Sequence, residues 1–166
     1  MDINEKFIDD FSLVNRYKGR IRIYFEDLTS SVPVSNYYAV FHLAAIRGTK
    51  FSKFGYDTLY KNIQSTANLI ENFHKTDTKI IFVSSGEVFG SLDPIYAGLP
   101  TREDCPVGIA NIFEARWTYA LSKIVGEMLF IHSNAYFRWT IARLQNPYGE
   151  RMGEDNVVPI FIKRAL

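Results

Sequence analysis

Three short apolar runs set the tightest limit on how this chain can fold: "YAVFHLAA" (38–45), "KIIFVSS" (79–85) and "WTIARL" (139–144). A half-exposed strand alternates apolar with polar residues. A run apolar at successive positions reads as a strand buried on both faces. Between the runs lie stretches with helical spacing. Residues 56–75 carry Leu59, Ile63, Leu69, Ile70 and Phe73 on or near one face, and 113–133 form a long amphipathic stretch. Strands alternating with helices predict an α/β fold, with a parallel sheet covered by helices on both faces.

The flanks add further elements. "KFIDDFSLVNRY" (6–17) places Phe7, Phe11 and Val14 at helical spacing, and Gly19 breaks it. "RIRIYF" (20–25) has the alternation of a strand, and "EDLTSSVPVSN" is a polar connection. "NVVPIFIKRAL" starts a helix around Pro159. The chain has 166 residues, 47% of them hydrophobic, which is enough for one domain with a real core. A net charge of +1 gives no basic field to recruit nucleic acid. Cys105 is the one cysteine, so no internal disulfide framework is possible, and a reducing cytosol fits. The acidic start "MDINEKFIDDF" lacks the apolar core of a signal peptide, and no apolar run is long enough to span a bilayer. The expected location is the cytoplasm, with no membrane partner.

In parallel sheets of this kind, ligands bind at the carboxyl ends of the strands. "HLAA", "SSGEVFG" and "RLQNPYG" are three such ends. Tyr119 and Lys123 in "YALSK" are four apart on the long helix and share a face. An ammonium beside a phenol favours the phenolate, which makes a tyrosine a better general base. Ser85, at a strand end, is placed to hold a substrate oxygen nearby. Each residue also has a plainer reading. Tyr119 and Lys123 can decorate a helix face, Ser85 can be a turn residue, and Glu87 a solvated loop carboxylate. Ala44 and Ala45 admit either a flat ring or close helix packing. Asp27 can accept from a ribose or close a turn, and Asn62 can be a local cap. His42 is read as a core histidine, because no second metal ligand lies at useful spacing. No metal is expected.

Taken in order, "EDL", "VFHLAA", "NIQSTANLI", "IIFVSSGEVFG", "TREDCP", "YALSK" and "ARLQNPYGERMG" resemble the extended short-chain dehydrogenase/reductase family, in its nucleotide-sugar epimerase and dehydratase branch. The resemblance implies a Rossmann domain binding NAD or NADP, with a nucleotide sugar as substrate. By position, Asp27 and Leu28 would flank the adenine. Leu43, Ala44, Ala45 and Arg47 would line the ribose and pyrophosphate, and Asn62 would fix the strand-end loop. Ser85, Tyr119 and Lys123 match the catalytic Ser/Thr, Tyr and Lys. Lys123 would lower the Tyr119 pKa and hold the nicotinamide ribose. Asn146 matches a substrate contact, and Glu87 matches the glutamate of "TDEVYG" or "TSEVYG". Gly86 replaces the dehydratase aspartate, which favours epimerase or decarboxylase chemistry over dehydration.

The family's opening strand and its Gly-x-x-Gly-x-x-Gly turn, which seats the pyrophosphate on a helix start, have no counterpart in these residues. The expectation is a single partial Rossmann-like domain over 1–166, with the substrate lobe essentially absent, weak NAD binding and little or no turnover alone. The missing strands would lie between 20–25 and 39–45, so the first strand is expected to be displaced or to close up against the next. The alternative is a non-catalytic remnant or interaction module. In either case, helices 56–75 and 113–133 are expected to pair with another copy, as in family dimers.

Overall fold

The computed structural model describes residues 20–47, 55–90, 100–149, 152–153 and 156–166; the expected helix over 6–17 lies outside them. Among the described residues three strands form: β1 (Ala39–His42), β2 (Lys79–Ser85) and β3 (Arg138–Leu144). They make a parallel sheet in the order β1-β2-β3, with His42 beside Phe82 and Phe82 beside Ile141. The described residues also form the helices α1 (Gly55–Phe73), α2 (Trp117–Ile131) and α3 (Val157–Ala165). A 3-10 turn, Gly86–Phe89, continues directly from β2. The α/β architecture read from the apolar runs is the one observed.

The core explains why β2 is central. Its alternate residues Ile80, Phe82 and Ser84 are fully buried, and Ile80 and Phe82 join Leu69, Ile70, Phe73, Phe130 and Phe137 in one cluster. The Phe82 and Phe130 rings lie 5.1 Å apart, and Phe130 meets Phe137 edge-on at 6.0 Å. Burying each such side chain contributes about 1.5–3 kcal/mol. α2 approaches β2 closely because position 126 is glycine: a Cβ there would lie 2.5 Å from the Phe82 ring.

Two expectations need correction. Residues 20–25 form no strand; Ile21, Ile23, Tyr24 and Phe25 are exposed. Alternation makes a strand only where a neighbouring strand accepts its hydrogen bonds, and no described strand lies beside this segment. With no strand formed, neither of the two placements expected for it is observed. The sheet is also not covered on both faces by the described residues. β1 is half the expected length, and Phe41 is 64% exposed on the face opposite the core. The unbroken apolar run at 38–45 thus marks an edge strand in this structure.

Candidate active site

Asn62, on α1, is buried and divides its amide between the loop after β1 and α2. Its Oδ1 accepts from the Ile46 N–H (2.8 Å), and its Nδ2 donates to the Ile46 carbonyl (3.1 Å) and to Ser122 Oγ (3.1 Å) on α2. A helix-interior asparagine thereby fixes the segment that carries Ala44 and Ala45. His42, at the end of β1, meets Thr66 Oγ1 at 3.1 Å. The Thr66 hydroxyl already donates to the Asn62 carbonyl, so the His42 Nε2 is the donor. Burial, aided by the Lys123 charge, pushes the His42 pKa down to about 4. His42 is a neutral core histidine.

Asp27 closes a turn. Its Oδ1 accepts from the Thr29 N–H (2.9 Å) and the Thr29 hydroxyl (2.8 Å), and these bonds hold its carboxyl below the usual range. Asn68, which sequence reasoning passed over, anchors the turn to α1 by donating to the Leu28 and Thr29 carbonyls. Asp27, Leu28, Ala44, Ala45 and Asn62 then line one small cleft with Lys61 and Ser65. Leu43 belongs instead to a neighbouring apolar cleft of about 300 Å³ bounded by Leu28, Tyr37, Phe41 and Phe73. Arg47 is exposed at the end of the same loop, and its charge reaches Tyr119.

The second group sits at the end of β2. Ser85 caps the 3-10 turn, its Oγ accepting from the Glu87 N–H at 3.2 Å, so the turn reading of Ser85 holds alongside any other. Tyr119 stands next to this turn. Burial raises its phenol pKa, the Glu87 carboxylate raises it further, and Ser85 and Arg47 act in the opposite direction. Lys123 is buried and donates to the Val83 carbonyl at 2.8 Å, with its ammonium over the Phe82 ring at 4.9 Å. Burial lowers its pKa to about 8. The expectation that Lys123 lowers the Tyr119 pKa is not met: the ammonium is aimed at a β2 carbonyl and stands 5.7 Å from the Tyr119 ring centroid. Ser85, Glu87, Tyr119 and Lys123 nevertheless come together at the carboxyl end of β2.

Asn146 follows β3 on an exposed loop with φ of 42°, a left-handed conformation that asparagine tolerates well, and no hydrogen bond joins it to Ser85, Tyr119 or Lys123. Its neighbour Gln145 bridges the two strand ends: Oε1 occupies the space above Gly86 where a Cβ would stand. Sequence reasoning missed this residue, although its place at a strand end beside Asn146 was a signal. Among the described residues no cluster of His, Cys, Asp or Glu could hold a metal ion, and no helix is long and apolar enough to cross a membrane.

These strand ends suit parts of a dinucleotide. Small side chains at 44 and 45 leave the backbone accessible beside a cleft that also holds the Asp27 carboxylate. The glycine-rich seat for a pyrophosphate is not among these residues, so the residues present fit the nucleoside side and only border the phosphates.

A parallel sheet with helices between its strands and these residues at the strand ends defines a Rossmann-like α/β fold. The model of the NAD dependent epimerase/dehydratase family matches residues 21–166, and the chain belongs to that family. It is 31% identical to a UDP-N-acetyl-alpha-D-glucosaminuronate decarboxylase of Bacillus cytotoxicus, over 92% of this chain and 52% of that protein. Among solved structures it is similar to TunA, an NAD-dependent NDP-hexosamine 5,6-dehydratase of tunicamycin biosynthesis, with a TM-score of 0.70 and 27% identity over 86% of this chain and 46% of that one. RMD from Pseudomonas aeruginosa, solved with NADPH, shares the fold with a TM-score of 0.65 at 24% identity over 80% of this chain and 46% of that one. The chain spans about half the length of these relatives.

Proposed function

We propose that this chain supplies the Ser-Tyr-Lys portion of an NAD-dependent enzyme acting on a nucleotide sugar, with epimerase or decarboxylase chemistry favoured over dehydration. The observation that carries the reading is the convergence of Ser85, Glu87, Tyr119 and Lys123 at the end of β2. Support for the chemistry comes from Gly86, which puts no carboxylate beside Glu87, and from the resemblance to a sugar-acid decarboxylase.

In this reading, Asp27 and Leu28 flank the adenine, and Leu43, Ala44, Ala45 and Arg47 line the ribose and pyrophosphate of NAD or NADP. Asn62 keeps that loop in place, and Lys123 holds the nicotinamide ribose. The nicotinamide, when bound, supplies a hydride acceptor and donor. Tyr119, kept protonated at neutral pH by burial and by Glu87, exchanges its proton with a sugar hydroxyl. Ser85 holds the substrate oxygen, and the exposed Glu87 carboxylate is the nearest base. Asn146 contacts the sugar from the β3 side. The three-strand unit acts as one partial domain in the cytoplasm, and it dimerises through α1 and α2. The stacked, exposed Tyr56 and Tyr60 on α1, with ring centroids 5.6 Å apart, and the exposed Met128 and Ile131 on α2 favour such pairing.

Calorimetry with NAD tests the reading, first on this chain and then on a fusion to the amino-terminal part of the Bacillus cytotoxicus decarboxylase. Weak binding by the chain alone and micromolar binding by the fusion are expected, because about three charge-assisted bonds to the pyrophosphate are restored, each contributing about 1.5–3 kcal/mol. Turnover of a UDP-sugar by a fusion that also carries the carboxyl-terminal part of that decarboxylase should fall by about 100-fold or more in Tyr119→Phe. A fusion carrying both flanking parts that binds NAD and turns over sugar equally well without the Tyr119 hydroxyl would overturn the assignment.

A further inference from the structure

Away from the reacting groups, one buried charge pair joins every segment that carries them. The Glu127 carboxylate on α2 accepts from Ser84 Oγ on β2 (2.5 Å) and from Arg143 Nε (3.0 Å) and Nη2 (2.7 Å) on β3. Arg143 Nη1 donates to the Glu103 carbonyl (2.7 Å) and to its carboxylate (3.2 Å). The guanidinium also lies over the Phe89 ring at 4.8 Å, two residues beyond Glu87. Glu127 and Arg143 side chains are 5% and 16% exposed.

We propose that the Glu127–Arg143 pair is a positioning device, which fixes the face of α2 bearing Tyr119 against the strand end bearing Ser85 and the turn bearing Glu87. The proposal rests on the reading of Tyr119 and Ser85 as reacting groups. Stability alone gives little reason for the pair, because a buried ion pair is often no better than a hydrophobic replacement of the same size. What the planar fork adds is direction: two parallel bonds to one carboxylate allow a single orientation. Tyr119, Lys123 and Glu127 repeat every four residues, so they lie along one face of α2. Lys123 is fastened to Val83 and Glu127 to Ser84, the two residues before Ser85. Arg143 holds the turn from its other side through Phe89 and steadies the loop at Glu103.

The test reads the Tyr119 phenol directly, by NMR titration of protein labelled at tyrosine Cζ, with Tyr119→Phe identifying the signal. The groups acting on this phenol are Ser85 and Glu87 at the end of β2 and Arg47 on the loop after β1, with Lys123 beside it on its own helix. Glu127→Gln keeps the shape and removes the charge. The double variant Glu127→Gln with Arg143→Gln replaces the ion pair by two amides and leaves no lone charge. In folded protein, both should move the Tyr119 midpoint down towards that of ordinary tyrosine, as the phenol gains solvent and the turn loosens. Arg143→Lys, with charge but no fork, should not restore the wild-type midpoint. A merely structural pair would lower the melting temperature and leave the midpoint where it is. That outcome, or failure of both Glu127 variants to fold, overturns the proposal. The titration needs neither cofactor nor substrate, so a negative result with NAD would count against the proposed function and not against this pair.

Discussion

The Lys123 ammonium donates to the Val83 carbonyl at 2.8 Å, inside the sheet-facing side of α2 and above the Phe82 ring. Burial disfavours its charge, so between about pH 8 and the ordinary lysine value of 10.5 the unfolded chain binds more protons than the folded one. Stability should therefore rise with pH through this window, by about 3 kcal/mol from this group. Urea unfolding at a series of pH values should show the rise in wild-type protein and lose it in Lys123→Met.

His42 gives a second window with the same sign. Its pKa is lowered from 6.5 to about 4, chiefly by burial, so its contribution is complete above pH 6.5 and is lost as pH falls towards 4. The loss should be about 3 kcal/mol. Gln at this position reaches as far as the imidazole Nε2 and can still donate to Thr66. The difference in unfolding free energy between wild type and His42→Gln should shrink across this range; a constant difference would contradict a buried neutral imidazole.

Gly126→Ala should destabilise the fold by about 1–3 kcal/mol, because the added methyl meets the Phe82 ring where it has no room to move within the aromatic cluster. Combining it with Phe82→Leu should cost less than the two single changes together, measured by thermal unfolding.

Asn62→Ala strands the Ile46 N–H and carbonyl and removes the link to Ser122. A cost of about 1–3 kcal/mol is expected. Hydrogen exchange at the Ile46 amide should accelerate more than at amides of β2. Uniform acceleration would mean that Asn62 supports the whole fold and has no special hold on this loop.

Much of this arrangement was legible from local pattern. The run "KIIFVSS" coincides with β2 at both ends, because its residues are buried by elements adjacent in the chain. The helix expected over 56–75 forms at Gly55–Phe73. The one expected over 113–133 begins at Trp117, since Asn111 accepts from the Phe113 N–H and reaches Glu114 to hold a turn there. Residues 20–25 misled because alternation says nothing about whether a partner strand is present. The convergence of Ser85, Glu87 and Tyr119 followed from strand-end and helix-face placement. Glu127 and Arg143 were invisible in the sequence: each looks like a surface charge until β3 brings Arg143 across to α2. The direction of Lys123 was equally hidden, because four-residue spacing fixes a shared face and leaves the terminal atom free to choose its acceptor.

The four-residue repeat of Tyr119, Lys123 and Glu127 also limits which insertions this helix can survive. One extra residue between Tyr119 and Lys123 would rotate the first turn of α2 by about 100° relative to its later turns. Lys123 and Glu127 would stay on Val83 and Ser84, and the phenol would swing off the turn at Ser85. An insertion after Glu127 would leave all three side chains in phase and would fall on Phe130 and the aromatic cluster instead. Length variation on either side of this segment thus has distinct costs, one borne by the side chains gathered at the end of β2 and the other by the core.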